Sequence, residues 1–469
     1  MRTSRCLLLR ATATLLLLAA SRLAAAQAGL LFPQDDLRDR LLRARDAGRT
    51  AAPLAMWPVT SATARAAGID GEACDGRIEM HLRASDGERL LLGFADGVPA
   101  DRRAAAAACL APSATSALRA QINAERTAGR TRVHADGTYA ALDWHGALLT
   151  AGAVPRYWGP GWAGSLILGD NARPVPAIGV RRADASRGFE SRWLAWLGPW
   201  DAEIFFGRLQ GHDEPRAPRF VAMRLEAAPA SWLTLGASRA IQWGGAGRDN
   251  SLGALRDALL GRDNVGASGI GVANEPGNQL AGFDVRISAA RLGAPIAVYT
   301  QWIGEDEAGY RPSKYIAASG IETWFATRCC RWRASLEHVD TVTGLHDEFP
   351  GTAYRHHIYR QGYTQQGRVI GFSLGTDVRA AVLRLDAFGV GPWSGSLRML
   401  DGDANPGAIA DLPYAGASRL RAAEARLRYR TDGAFAAELR TGRSQYTPQT
   451  SARPIRETTV GASVELRLP

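Results

Sequence analysis

From residue 130 to the end of the 469-residue chain, short segments alternate between apolar and polar residues, and each closes on Gly, Pro, Asp or Asn. A period of two puts successive side chains on opposite faces of a strand, so every segment presents one apolar and one polar face. Val221, Met223, Leu225 and Ala227 oppose Ala222, Arg224 and Glu226; Phe283, Val285 and Ile287 oppose Asp284, Arg286 and Ser288. Trp332, Ala334 and Leu336 oppose Arg333, Ser335 and Glu337. In the last segment Val460, Ala462, Val464, Leu466 and Leu468 oppose Ser463, Glu465 and Arg467.

Two folds alternate in this way. A soluble sandwich turns its apolar faces inward and shows water a surface rich in Lys, Thr and Ser. Here the polar face is repeatedly Arg with Asp or Glu, and the chain nearly lacks Lys. A transmembrane barrel reverses the faces, with apolar residues toward lipid and polar ones in the lumen. An Arg/carboxylate lumen can fill itself with ion pairs, since the guanidinium fork matches a carboxylate. No apolar run is long enough for a spanning helix, and the alternation favours the barrel. Residues 130–469 leave room for roughly 16 to 18 strands with their turns. Trp193, Trp196, Trp200, Trp232, Trp243, Trp302, Trp324, Trp332 and Trp393 fall in or at the ends of segments, as girdle residues at a membrane interface would. The stretches from Gly244 to Gln279 and from Asp340 to Gln366 read as long external loops.

The chain opens with the grammar of a secretory signal. Arg2, Arg5 and Arg10 precede the apolar run Leu15 to Ala20, and Ala24-Ala25-Ala26 supplies small residues for cleavage. Removing residues 1–26 sheds four arginines and no acid, which lowers the formal net charge from +10 to +6. That is mild for the size, and no compact basic run points to nucleic acid. Residues 27–129 read as a small, mainly helical domain. Asp35 and Asp36 open a run with Leu37, Leu41 and Leu42 at helical spacing, ending at Gly48. The alanine-rich Arg102 to Leu110 and Ser113 to Thr127 are further helix candidates, with a short hairpin between Arg77 to Leu82 and Leu90 to Phe94. Cys74 and Cys109 fall in this region and, in an exported protein, are candidates for a disulfide.

No catalytic constellation emerges, and neither a cofactor nor a metal site is expected. The adjacent His356 and His357 would point apart on a strand. The glycine-rich Gly266 to Gly271 lacks the spacing of a nucleotide loop. His338 sits on an apolar face, where a barrel lipase would need a serine partner, and the chain does not mark one. Gly304-Glu305-Asp306-Glu307 places three carboxylates in a row, which fits either calcium, a basic partner or a solvated strand end.

One stretch is conformationally special throughout. Pro155 to Pro176 sets Tyr157, Trp158 and Trp162 among glycines and prolines, so it cannot be a continuous helix. Its aromatics read either as platforms for sugar rings or as pins of a strand-to-strand reversal, and the density of Gly and Pro favours pins. Trp158-Gly159-Pro160-Gly161-Trp162, Ser165-Leu166-Ile167-Leu168 and Asn171-Ala172-Arg173-Pro174-Val175-Pro176 together resemble the signature of the Wzi family of outer-membrane capsule assembly proteins. Leu235-Gly236, Ser238-Arg239, Gly244-Gly245, Gly304 to Glu307, Tyr359-Arg360, Gly362-Tyr363, Gly367-Arg368 and Ile370-Gly371 extend the resemblance.

The resemblance implies an antiparallel barrel of about 18 strands in the Gram-negative outer membrane, preceded by a small periplasmic helical domain. It also implies a lectin-like role, holding capsular or related polysaccharide at the cell surface without covalent chemistry. Outer-membrane lipids and a surface polysaccharide are the expected partners, and the protein is expected to be a monomer. Tyr157, Trp158, Trp162, Asn171, Arg173, Trp243, Glu305 and Asp306 are the candidate polysaccharide-binding residues. A porin or substrate channel shares the same alternation and stands as the alternative. The terminal Leu468-Pro469 departs from the aromatic ending common in such barrels.

Overall fold

The structure is a computed structural model that describes residues 28–69, 74–87, 89–260, 277–308, 311–344, 347–389, 391–431, 433–451 and 453–468. The leader-like residues 1–26 and the run Gly266 to Gly271 lie outside these. Eighteen antiparallel staves close into one barrel. They are β1 Ile78–Asp86, β2 Arg102–Ser113, β3 Ser116–Thr127, the interrupted β4 Arg130–His134 with Tyr139–Trp144, β5 Ala147–Gly152 and β6 Ala177–Arg182. Next come β7 Trp200–Arg208, β8 Arg219–Ala230, β9 Leu233–Trp243, β10 Gly277–Ser288, β11 Ile296–Ala308 and β12 Arg311–Ala326. The circuit ends with β13 Cys330–Asp340, β14 Val378–Gly389, β15 Trp393–Ala404, β16 Ser418–Arg430, β17 Phe435–Tyr446 and β18 Ile455–Leu468. The two pieces of β4 count as one stave because both pair along β3. Closure runs from β18 to β1, with Leu468 opposite Ile78 and Val460 opposite Asp86.

The alternation read from residue 130 onward sorts as a membrane barrel requires. Leu225, Phe283, Leu336, Leu383, Leu427, Leu439 and Val460 are exposed on the outer wall, while Arg224, Glu226, Asp284, Arg286, Arg333 and Glu337 are buried inside. An apolar outer face in lipid and a polar lumen satisfy every strand at once. All hairpins at one end but the connection 183–199 are short, as at Ala230/Leu233 and Ala326/Cys330, and Leu468 lies at that end. The other end carries the long connections 153–176, 244–276 and 341–377. Trp144, Trp193, Trp196, Trp232 and Trp393 are exposed near the short-turn end, as expected of a girdle. Two tryptophans depart from that expectation. Trp324 is buried in the lumen, its ring 5.2 Å from the Arg333 guanidinium. Trp243 is buried beneath the helix α3, Leu252–Leu259, in a cluster with Val221, Ile241 and Leu255.

The expected helical domain over 27–129 needs correcting. A helix α1 does form over Asp35–Asp46, with Asp35 and Asp36 in its first turn where the helix dipole favours them. A short α2 follows at Ser61–Ala66, its N-terminus capped by the Thr60 side chain accepting from the Thr63 N–H. The alanine-rich and Ser113-to-Thr127 stretches, however, are barrel strands β2 and β3. Ile78–Asp86 pairs with β18 and β2, not with Leu90 to Phe94. The barrel therefore begins at Ile78, not at residue 130. The remaining N-terminal segment enters the lumen instead of forming a separate domain. Leu37, Leu41 and Leu42 share a buried cluster with Trp57, Phe94, Tyr157, Trp162 and the strand residue Tyr299. Cys74 and Cys109 are joined by a disulfide, which ties this segment to β2.

Candidate functional site

Two parts of the chain meet inside the barrel. From the short-turn end comes α1, whose Arg43 donates to the Trp332 carbonyl at 2.6 Å and whose Arg45 donates to that of Leu233 at 2.9 Å. From the long-loop end comes the stretch 153–176, joining β5 to β6. Tyr157 and Trp158 pair as a two-residue ladder with Trp57 and Met56. Arg38 of α1 donates to the Gly161 carbonyl at 2.8 Å, and its guanidinium lies 4.2 Å from the Trp162 ring and 4.3 Å from Phe94. A guanidinium between two ring faces keeps much of its stabilisation without water.

Polar contacts with the wall fix the reversal. Glu337 accepts from the Trp162 N–H at 2.7 Å and from the Ala163 N–H, while Glu322 accepts from the Trp162 indole at 2.9 Å. Gln301 accepts from the Leu166 N–H at 2.8 Å and donates to the Trp158 carbonyl at 3.0 Å. Gly159 has a positive φ of 140°, and a Cβ there would meet the Gln301 amide at 2.8 Å, so only glycine fits. The loop 341–377 closes over the same stretch. Tyr354 and Tyr363 donate to the Leu166 and Ile167 carbonyls, both at 2.8 Å. The buried N–H groups of Trp162, Ala163 and Leu166 and the carbonyls of Trp158, Leu166 and Ile167 are thereby given partners.

Ion pairs bind α1 to the wall. Asp39 accepts from Arg43 at 2.9 Å, Arg331 at 3.0 Å and Arg333 at 2.9 Å, and Asp46 pairs with Arg286 at 2.9 Å. Asp35 pairs with Arg384 at 2.7 Å and also with Arg426. Burial works to raise the Asp35 carboxyl, but the two guanidiniums outweigh it and hold the group well below the usual carboxylate range. Asp170 shows the opposite balance. Burial pushes its carboxyl up to about 7, against the Ala95 N–H that lowers it, and nearby Asp96 and Asp35 push the same way.

Tyr157, Trp158, Trp162, Asn171, Trp243 and Glu305 are all buried. A buried ring offers no face to a sugar in this structure, and Tyr157, Trp158 and Trp162 serve here as pins of the reversal. Asn171 donates to the Val369 carbonyl and accepts from Arg368, both at 2.8 Å, and Glu305 accepts from the Tyr354 N–H at 2.8 Å. The backbone of Asp306 pairs with Ser313, and its side chain lies outside what the structure describes. Among the candidates whose side chains are described, Arg173 borders open space. It holds Asp136 through two bonds of 2.6 and 2.9 Å and donates to Gln366 at 2.8 Å, at the edge of a cavity of about 150 Å³. Arg103, Gln121, Asn123 and His134 line the same space, over Phe32, Leu168 and Phe205. Donors and acceptors above an apolar floor suit a polyhydroxylated ligand of about one sugar unit.

Sequence reasoning missed Asp136, His134 and Gln121 because they come from the middle of β3, the end of the first piece of β4 and the break within β4, with no motif between them. Ser319 stands opposite His338 on the outer wall, but its hydroxyl bonds to Thr300 at 2.8 Å. Among the described residues no group of His, Cys, Asp and Glu is arranged to hold a metal ion.

A protein of 55.8 kDa from the cps region of Klebsiella pneumoniae, itself uncharacterized, is 40% identical over 199 residues, 42% of this chain. The chain matches 38% of that relative's length. The solved structure of Wzi, described as an outer-membrane protein involved in group 1 capsule assembly in Escherichia coli and as a carbohydrate-binding β-barrel, superposes with a TM-score of 0.81 at 26% identity. That superposition covers 93% of this chain and 99% of the other. The family model for the capsule assembly protein Wzi matches residues 92–389. The chain belongs to the Wzi capsule assembly family.

Proposed function

We propose that this protein sits in the outer membrane and binds exported capsular or related polysaccharide at the cell surface, as a lectin-like barrel without covalent chemistry. One observation carries the reading beyond family membership: the lumen is occupied from both ends by segments wired to its wall. A scaffold rigidified in this way presents fixed loops, which suits recognition more than passage. The long loops then face outside and the short turns face the periplasm. On that orientation α1 sits at the periplasmic mouth, and the cavity edged by Arg173 and Asp136 is the candidate subsite for one sugar unit. The deciding experiment is binding of the purified full-length barrel to a panel of surface polysaccharides, including that of the strain which makes it. Selective binding to that strain's polymer, weakened by Gln121→Ala, is expected. Uniformly absent binding across the panel overturns the proposal.

A further inference from the structure

The outer wall carries a second candidate site. Outward positions of β16 to β18 are mainly apolar until the long-loop end, where they become Arg421, Arg443 and Arg456. Ala423 stands opposite Arg443, and Gln445 stands opposite both Arg421 and Arg456. The three arginines therefore lie one diagonal step apart on three adjacent strands, roughly 7–8 Å between neighbours. They edge a groove of about 640 Å³ whose floor includes Leu336, Leu383 and Met399. Arg421 bonds Asp401 at 3.1 Å, a carboxylate shared with Arg419, and Arg456 donates to Gln445 at 3.2 Å. Arg443 has no hydrogen bond or ion pair to a described residue.

Further around the wall the pattern recurs independently. Arg102 and Arg126 face each other directly across β2 and β3, both exposed, beside a groove of about 440 Å³. Neither side chain has an ionic partner among the described residues. Like charges directly opposite one another weaken a sheet, and unpaired arginines on a lipid-facing wall are costly. A bound anion relieves both costs. The guanidinium fork matches phosphate oxygens, and the groove beneath is shaped and lined for acyl chains.

We propose that this sector of the wall binds a phosphorylated, multiply acylated lipid of the outer leaflet, its phosphates on Arg421, Arg443 and Arg456 and its chains in the groove below. The proposal rests on the membrane-embedded reading of the barrel and is independent of the sugar-binding one. The test measures binding of lipopolysaccharide to the purified full-length protein in neutral detergent, beside its dephosphorylated form and phosphatidylcholine vesicles. Lipopolysaccharide is expected to bind at least roughly tenfold tighter than either, the loss of phosphate contacts being worth that factor. The double variant Arg443→Gln with Arg456→Gln is expected to lose the same factor while keeping normal polysaccharide binding and heat-modifiability. Arg102→Gln with Arg126→Gln gives a second reading on strands away from the first groove. Equal affinity of the folded double variants and the parent, or equal binding of the dephosphorylated lipid, overturns the proposal.

Discussion

Trp158 has no accessible surface, and its carbonyl accepts from both the Ser165 hydroxyl and the Gln301 amide. Removing a buried indole of this kind costs about 3–5 kcal/mol. Trp158→Ala is therefore expected to lower the amount of folded, heat-modifiable barrel in the outer membrane, measured by gel shift. A normal level of folded barrel with lost polysaccharide retention would instead return this stretch to the binding site. Asp170 gives a pH signature. Its folded pKa of about 7 lies above its ordinary value of 3.8, so its contribution is fully present below the ordinary value and is lost as pH rises through 7. Between pH 4 and 7 the parent is expected to lose stability relative to Asp170→Asn, read from thermal midpoints at several pH values. Parallel profiles for the two would contradict the assignment. At this scale the special backbone of Pro155 to Pro176 was legible, because Gly and Pro mark it locally. Its partners Glu322, Glu337 and Gln301 were not, since they come from three distant strands.

At the scale of elements, strands β8, β10, β13, β14 and β16 to β18 were legible because large apolar residues alternate with Arg and carboxylates. β2 was not. Its outward Ala104, Ala106 and Ala108 and its inward Ala105 and Ala107 are the same residue, so no alternation shows, and alanine's helix propensity decided the reading. The β3 misreading has a different cause. Leu118 and Ile122 are four apart, a spacing shared by one helix face and one strand face. The alternate positions Arg119, Gln121, Asn123 and Glu125 carried the strand signal. Helix α1 was read correctly in place and extent but not in surroundings. A helix with Asp35, Arg38, Asp39, Arg45 and Asp46 all buried looks solvated in sequence. It becomes intelligible only inside a lumen whose wall supplies Arg286, Arg331, Arg333 and Arg384 as partners. Breaking one side of such a buried pair costs about 3–5 kcal/mol, which makes α1 a firmly held element of the plug.

At the scale of the whole molecule, the same closed barrel can serve as a conduit or as a scaffold, and the contents of the lumen separate the two. Here α1, the reversal 153–176 and the loop 341–377 pack against one another through Arg38, Trp162, Tyr354 and Tyr363, and all are tied to the wall or to each other by short hydrogen bonds. On the proposed reading, this packing makes the barrel a scaffold for polysaccharide instead of a channel. Planar-bilayer conductance of the purified full-length barrel tests it most directly, with Asp35→Ala/Asp39→Ala as the loosened comparison. No large steady single-channel current is expected from the parent, and intermittent current is expected from the loosened variant. Large steady currents from the parent would contradict it.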